Sequence, residues 1–300
     1  MLIVSAANTI AGVVEPRISQ ILEFVSSIQL QEIVETVSIP RHFVKQNSNN
    51  QIIAKWIWQQ LSSYGYQVTY QGQYANIVAM SPGYSAQACI LVGAHYDSVA
   101  ETFGADDNGS ALAALLVTAK MVAEYIPQKS VCFVAFNREE EGLLGSQEFV
   151  ANYGSQKDKI NISQAHILEM VGYSQNFSGS QRVPPGLPIR IPNRGNFIGL
   201  IGNHRSHCLL DQTLITAKTY LPNFPVLGLK VYFKLEKVFP VLRRSDHAPF
   251  WEVGIPALMW TDTAEFRNPN YHLPTDTPDT LDYEFLRQVT QLLLASVIEH

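Results

Sequence analysis

Two histidines and a set of clustered carboxylates are the residues of this 300-residue chain best suited to chemistry. The run ILVGAHYDS reads as an apolar strand ending in polar residues, and because side chains alternate along a strand, His95 and Asp97 project the same way. A carboxylate beside an imidazole suits a metal ligand and the group that orients it, since a ligating histidine usually passes its other N–H to such a partner. Taken alone, H-x-D equally describes a polar strand end with an ordinary hydrogen bond. Downstream, GADDNGSA sets Asp106 and Asp107 in a glycine-bounded loop opening a helix. One Asp suffices as an N-cap; two in a tight turn point one carboxylate at a cation. NREEEGLLGS, after the apolar strand VCFVAF, supplies Glu139 and Glu140, which a solvated helix start would also explain. HILEMVGY offers Glu169, an acid that needs a partner beside so many apolar residues, and NYHLPTDTPDTL supplies His272.

Together His95, Asp107, Glu140, Glu169 and His272 offer two imidazoles and three carboxylates without a thiolate. That donor set suits zinc or another divalent ion in an open, catalytic site. Five side chains exceed what one open tetrahedral ion takes. With one carboxylate bridging, they serve two ions about 3.5–4 Å apart, and Glu139 is left as a general base. The ligand count points to a co-catalytic hydrolase.

These residues must be carried by elements that bring strand ends together. Runs rich in apolar and β-branched residues predict strands at 67–70, 75–80, 89–94, 131–136, 167–171, 197–201 and 255–260. Helical periodicity follows Pro16 through Ile18, Ile21, Leu22 and Val25, and recurs over Ile52–Leu61, 110–125, 143–152 and 283–297. Strands alternating with helices predict an α/β fold, a three-layer α/β/α sandwich with a mixed, mostly parallel central sheet. In open α/β sheets ligands bind beyond the carboxyl ends of strands, where the His95 and Glu139 segments both fall. The stretch 173–194, with four Pro and two Gly, predicts an irregular active-site rim.

Composition sets the outer bounds. With 46% hydrophobic and 16% charged residues the chain is neither disordered nor low-complexity, and at this length the core needs no structural metal. A net charge of −5 without basic runs excludes a nucleic-acid surface. Cys89, Cys132 and Cys208 are few and scattered, so they predict buried apolar side chains rather than disulfides or a nucleophile. No apolar stretch reaches transmembrane length. The opening MLIVSAANTIAGVVEP lacks the basic start of a signal peptide, so it reads as mature chain and a cytoplasmic location is expected. No repeat or linker divides the chain, and a single domain over 1–300 is expected. His247 reads as a structural histidine bonded to Asp246, and His42, His166, His204 and His207 as structural or surface residues.

The motifs HYDS, GADDNGS, EEEGLLGS, LEMVGY, RSDHAPF and YHLPTDT, in this order, resemble those of the co-catalytic di-zinc aminopeptidases, the bacterial leucine-type exopeptidases related to glutamate carboxypeptidase and glutaminyl cyclase. The resemblance implies that His95 and Glu169 bind one zinc, that Glu140 and His272 bind the other, and that Asp107 bridges them across a cis Asp107–Asn108 peptide. It further implies Glu139 as general base to a metal-activated water, Asp97 as the residue orienting His95, and Arg244 and Tyr271 as oxyanion stabilisers. The implied substrate is a peptide with a free N-terminus, whose amino group Glu139 and Glu169 would anchor. Glu169 stands where many members have Asp, which sets the count at two zincs or one, and the cysteines and leader of secreted members are missing. Rival readings are a single-zinc glutaminyl cyclase, a carboxypeptidase using Arg182, Arg190 and Arg194, and an inactive receptor-like relative.

Overall fold

The computed structural model describes residues 3–6, 10–81, 88–126, 129–152 and 160–299, so parts of the opening stretch read above as mature chain lie outside the described residues. Nine strands form one sheet: β1 (Ile3–Ala6), β2 (Gln67–Gln71), β3 (Asn76–Met80), β4 (Cys89–His95), β5 (Val131–Phe136), β6 (Ile162–Leu168), β7 (Ile198–Gly202), β8 (Val226–Val231) and β9 (Ala257–Thr261), in the order β1-β8-β7-β9-β6-β4-β5-β3-β2. The central block β9-β6-β4-β5 is parallel; β3 and β7 join it antiparallel on either side. The sheet is mixed, and β3, β7 and β8 alone run against the rest.

Alternation along the central strands divides the core between two faces. Ile90, Val92 and Ala94 of β4 and Val131, Phe133 and Ala135 of β5 pack with α4 (Ala111–Tyr125) and α8 (Tyr283–Glu299). Their neighbours Cys89, Leu91, Cys132, Val134 and Phe136 face the opposite way, towards Phe149 of α5 (Leu144–Asn152) and Phe250 of α7 (His247–Val253). Both faces are covered by helices, which gives the expected three layers and explains why β5, and β4 up to its terminal His95, carry no polar side chain. Cys89 and Cys132 are buried free thiols, whereas Cys208 is exposed.

Three helices that the motif reading did not use complete the layers: α2 (Ser27–Val37), α3 (Asn47–Ser63) and α6 (His207–Tyr220), of which α3 extends the Ile52–Leu61 pattern to both sides. Helix α2 buries Leu30, Ile33, Val34 and Val37 at helical spacing, and its Ser26 cap accepts from the Gln29 amide. Strand β6 starts five residues before the expected 167–171 and ends three before it, because the polar ISQAH segment alternates out of an apolar run and still pairs with β4 and β9. Strand β8 was not expected from the sequence, since its glycine and lysine interrupt the apolar pattern. The stretch 173–194 has no helix or strand, as expected.

Candidate metal centre

The expected metal ligands meet beyond the carboxyl ends of the parallel strands. His95 ends β4, Glu139 and Glu140 follow β5, and Glu169 follows β6. Asp107 lies in the loop before α4, where the Asp107–Asn108 peptide is cis. Gly104 opens that loop at φ +59°, and a Cβ there would come within 2.5 Å of the Asp107 carbonyl, so the glycine is required. Gly145 plays a comparable part in GLLGS: a Cβ would meet the Asn137 carbonyl at 2.1 Å, so α5 packs directly on the backbone preceding Glu139.

Asp107 stands between the two histidines. Its Oδ1 is 3.3 Å from His95 Nε2 and its Oδ2 is 3.1 Å from His272 Nε2. Glu169 Oε2 lies 3.5 Å from His95 Nε2, and Glu140 Oε2 lies 3.2 Å from His272 Nε2. Glu139 Oε2 approaches His95 Nε2 to 3.9 Å. Two sets of side chains, His95 with Asp107 and Glu140, and His95 with Glu139 and Glu169, offer donor atoms all within 4.8 Å of one another. Pair by pair, Glu169 lies against His95 and Glu140 against His272.

The donor chemistry fits a divalent cation. His95 Nε2 and Asp107 Oδ1 are buried and make no hydrogen bond, although they face one another. An orphaned acceptor and an orphaned imidazole nitrogen at one point are what a metal would satisfy. Asp97 takes the other side of the ring: His95 Nδ1 is 3.4 Å from its Oδ1 and 3.2 Å from its carbonyl oxygen. A proton on Nδ1 leaves the Nε2 lone pair directed at Asp107 and Glu169.

The electrostatics give the same result. Burial pushes Glu140 up to about 7, with Asp107 adding to it, and raises Glu139 well above the ordinary carboxylate range. Burial likewise raises Glu169. For His272, burial disfavours the charged ring, but bonds to Asp107 and Glu140 outweigh it and lift it to about 10. Burial also opposes the Asp107 charge, yet the two histidines hold that group below the usual range. Among so many buried acids a bound metal ion would be the largest local charge.

Asp97, Ser245, Asp276 and Val99 hold the ligands in place. The carboxylate of Asp97 accepts from the backbone amides of Glu139 and Glu140, both at 3.2 Å, and so ties the β4 end to the β5 end. Ser245 Oγ donates to Glu169 Oε2 at 2.7 Å, and the Val99 amide donates to Glu140 Oε1 at 3.2 Å. Asp276 accepts from the amides of Asp106 and Asp107 at 2.9 and 3.1 Å. The sequence places Asp97 beside His95 but does not show its bonds to the Glu139 and Glu140 amides, nor the parts of Ser245 and Asp276, because a bond to a backbone amide, or to a side chain 76 residues away, leaves no local spacing to read. Arg244 Nη2 donates to Tyr271 Oη at 2.9 Å and pairs with Glu265, while the Tyr271 ring stacks on His272. Burial raises the Tyr271 hydroxyl above its ordinary value, so it stays protonated at neutral pH. His247 differs from expectation: its Nε2 donates to the Leu242 carbonyl at 2.9 Å, not to Asp246, because the ring turns back towards the preceding 3-10 turn.

Beside Glu169, Arg244 and Tyr271 opens an apolar cleft of about 100 Å³, lined by Leu187, Ile189, Ile191, Phe197, Leu229 and Met259 among others. The irregular stretch contributes its rim, as expected.

The sequence profile of Peptidase family M28 matches residues 76–187 and 228–297, well over half of the chain. The chain belongs to peptidase family M28. Among its relatives, the uncharacterized protein YfbL of Escherichia coli is 34% identical over 255 residues, covering 79% of this chain and 76% of that protein. The aminopeptidase YwaD of Bacillus subtilis is 30% identical over 213 residues, 70% of this M28 chain, which spans 40% of YwaD's length. In structure, LapB from Legionella pneumophila superposes with a TM-score of 0.76 at 21% identity, over 95% of this chain and 75% of that one, which bears on the fold alone. A Bacillus subtilis zinc aminopeptidase, BSAP, gives a TM-score of 0.56 at 27% identity over 75% of this chain and 49% of its own. Glutaminyl cyclase from Porphyromonas gingivalis shares the fold at 17% identity and a TM-score of 0.68, over 91% of this chain and 98% of its own. The M28 chain is thus a peptidase by family, on an α/β framework common to that group.

Proposed function

We propose that this M28 peptidase is a zinc-dependent aminopeptidase, a single catalytic domain that removes N-terminal residues from peptides with a free amino group. The observation that carries the reading is the position of Asp107, whose two oxygens face His95 and His272 separately at 3.3 and 3.1 Å. In this reading His95 and Glu169 would hold one zinc and Glu140 and His272 a second, with Asp107 available to both. When bound, zinc supplies Lewis acidity that polarises a peptide carbonyl and acidifies water.

The chain's own residues divide the remaining work. Glu139, with its raised proton affinity, takes a proton from the attacking water and returns it to the leaving amine. Tyr271 receives a hydrogen bond from Arg244, which leaves its own proton free to donate to the developing oxyanion. Glu139 and Glu169 hold the substrate's ammonium group. The apolar cleft beside Glu169 accepts the N-terminal side chain and keeps water from it. Of the three arginines behind the carboxypeptidase alternative, Arg182 and Arg194 each spend a donor on a backbone carbonyl, of Glu265 and Asn176, and Arg190 is exposed.

Hydrolysis of a panel of aminoacyl p-nitroanilides, their N-acetyl counterparts and N-terminal glutaminyl peptides tests the reading. Cleavage is expected only where the amino group is free. Equal rates on the acetylated set, or pyroglutamate as the product, would refute it.

A further inference from the structure

Residues 1–75 lie outside the stretches matched by the family profile, yet Arg41, fully buried, reaches the loops that carry the candidate site. Its Nε donates to the Tyr96 carbonyl at 2.8 Å; Nη1 donates to those of Val37, Ile39 and Phe103 at 2.9, 3.4 and 2.7 Å, and Nη2 to that of Gly104 at 2.9 Å. Among the described residues no carboxylate lies within 4.0 Å of it to form an ion pair. Its charge is therefore held at contact distance by backbone carbonyls, with the Asp276, Asp97, Asp107 and Glu140 carboxylates favouring it from further off, an expensive arrangement for a group used only to fill a core.

The bonds reach the places where metal ligands are set. Tyr96 lies between His95 and Asp97. Phe103 and Gly104 open the loop that delivers Asp107. The Arg41 amide donates to Ser98 Oγ at 3.1 Å, and its carbonyl accepts from Asn50 Nδ2 at 2.9 Å. Asn50 Nδ2 also donates to Asn137 Oδ1, its own Oδ1 accepts from Asn137 Nδ2, and Asn137 Oδ1 accepts from the amide of Arg138, just before Glu139 and Glu140.

We propose that Arg41, supported by Asn50, is a positioning residue for metal binding, which sets the spacing between the His95, Asp107 and Glu139–Glu140 loops before metal arrives. The inference rests on the metal-site reading above. Arg41 touches neither substrate nor reacting atoms and acts through the backbone. A planar fork with five fixed donors can bridge two loops and a helix end at once; a lysine nitrogen, with all its donors on one atom, cannot.

The test uses metal-free wild type, Arg41→Lys and Asn50→Asp, titrated with Zn²⁺ against a chromophoric chelator, together with melting temperatures and amide exchange of the metal-free proteins. Arg41→Lys is expected to lose about 10–100-fold in zinc affinity, as supports of metal ligands typically do. Asn50→Asp is expected to lose affinity in the same direction, and amides at Tyr96–Ser98 and Phe103–Gly104 to exchange faster in Arg41→Lys. A merely structural role would lower the melting temperature and leave the affinity of folded protein alone; a folded Arg41→Lys within threefold of wild type overturns the inference. If Arg41→Lys does not fold, Asn50→Asp decides by the same threefold criterion. Failure of the wild type to bind zinc would instead overturn the metal-site reading itself.

Discussion

Replacing Asp97 with Asn isolates the residue that joins the two halves of the candidate centre. The native carboxylate faces three donors: His95 Nδ1 at 3.4 Å and the amides of Glu139 and Glu140 at 3.2 Å each. Asn keeps one acceptor oxygen but turns an NH₂ group towards one of the amides, so a charge-assisted bond is lost and a buried donor faces another donor. A hydrogen bond to a charged group contributes about 1.5–3 kcal/mol. At about 1.4 kcal/mol per tenfold, the substitution is expected to cost roughly 10–100-fold in zinc affinity, in kcat/KM, or divided between them. Zinc titration by chelator competition and steady-state hydrolysis of leucine p-nitroanilide, with near-ultraviolet circular dichroism to establish folding, measure both. A folded Asp97→Asn protein that stays within twofold of wild type on both quantities would refute the positioning argument.

Glu139→Gln is expected to lose about 10²–10⁴-fold in kcat while its zinc content stays at the wild-type value, as measured by elemental analysis. Tyr271→Phe should lower kcat by about 10²–10³-fold with little change in KM, because the lost donor acts on the oxyanion; a change confined to KM would assign it to substrate binding. His247 provides a pH test. Burial holds its ring down at about 4, against an ordinary value of about 6.5. Between those values the unfolded chain binds a proton that the native state excludes, so this residue lowers stability as pH falls through the window, by on the order of 3 kcal/mol in full. His247→Gln, whose amide can still donate to the Leu242 carbonyl, is expected to remove that slope; urea denaturation at pH 7 and pH 4.5 with an unchanged variant-to-wild-type difference would contradict it.

The residues that the structure brings together were legible because each sits in an unbroken local motif: His95, Glu139, Glu140 and Glu169 at the ends of parallel strands, Asp107 in a glycine-bounded turn and His272 in a polar loop. Asp107 is the clearest instance: a second Asp after the first, in a loop whose Gly104 cannot be replaced. Arg41 was not legible, since its partners are backbone carbonyls from Val37 to Gly104 and carry no side-chain pattern. The same reason hid the part of Asp97 that binds the Glu139 and Glu140 amides, although its proximity to His95 followed from strand alternation. In the framework, β4 and β5 were found almost to the residue because both faces are covered and no polar side chain precedes His95 at the end of β4. Strand β6 was displaced because Ser163 and Gln164 interrupt its apolar run near one end. Helix α2 had a readable stripe in Leu30, Ile33, Val34 and Val37, but its polar positions drew no attention beside the motifs.

Titration of chelator-stripped protein with Zn²⁺, following hydrolysis of leucine p-nitroanilide and bound zinc together, tests the central claim most directly. The account expects no turnover at zero metal and activity that rises and saturates as zinc fills the site made by His95, Asp107, Glu140, Glu169 and His272, with His95→Ala and His272→Ala each abolishing the rise. Full activity in stripped protein, or zinc uptake that is unchanged in both histidine variants, would contradict it.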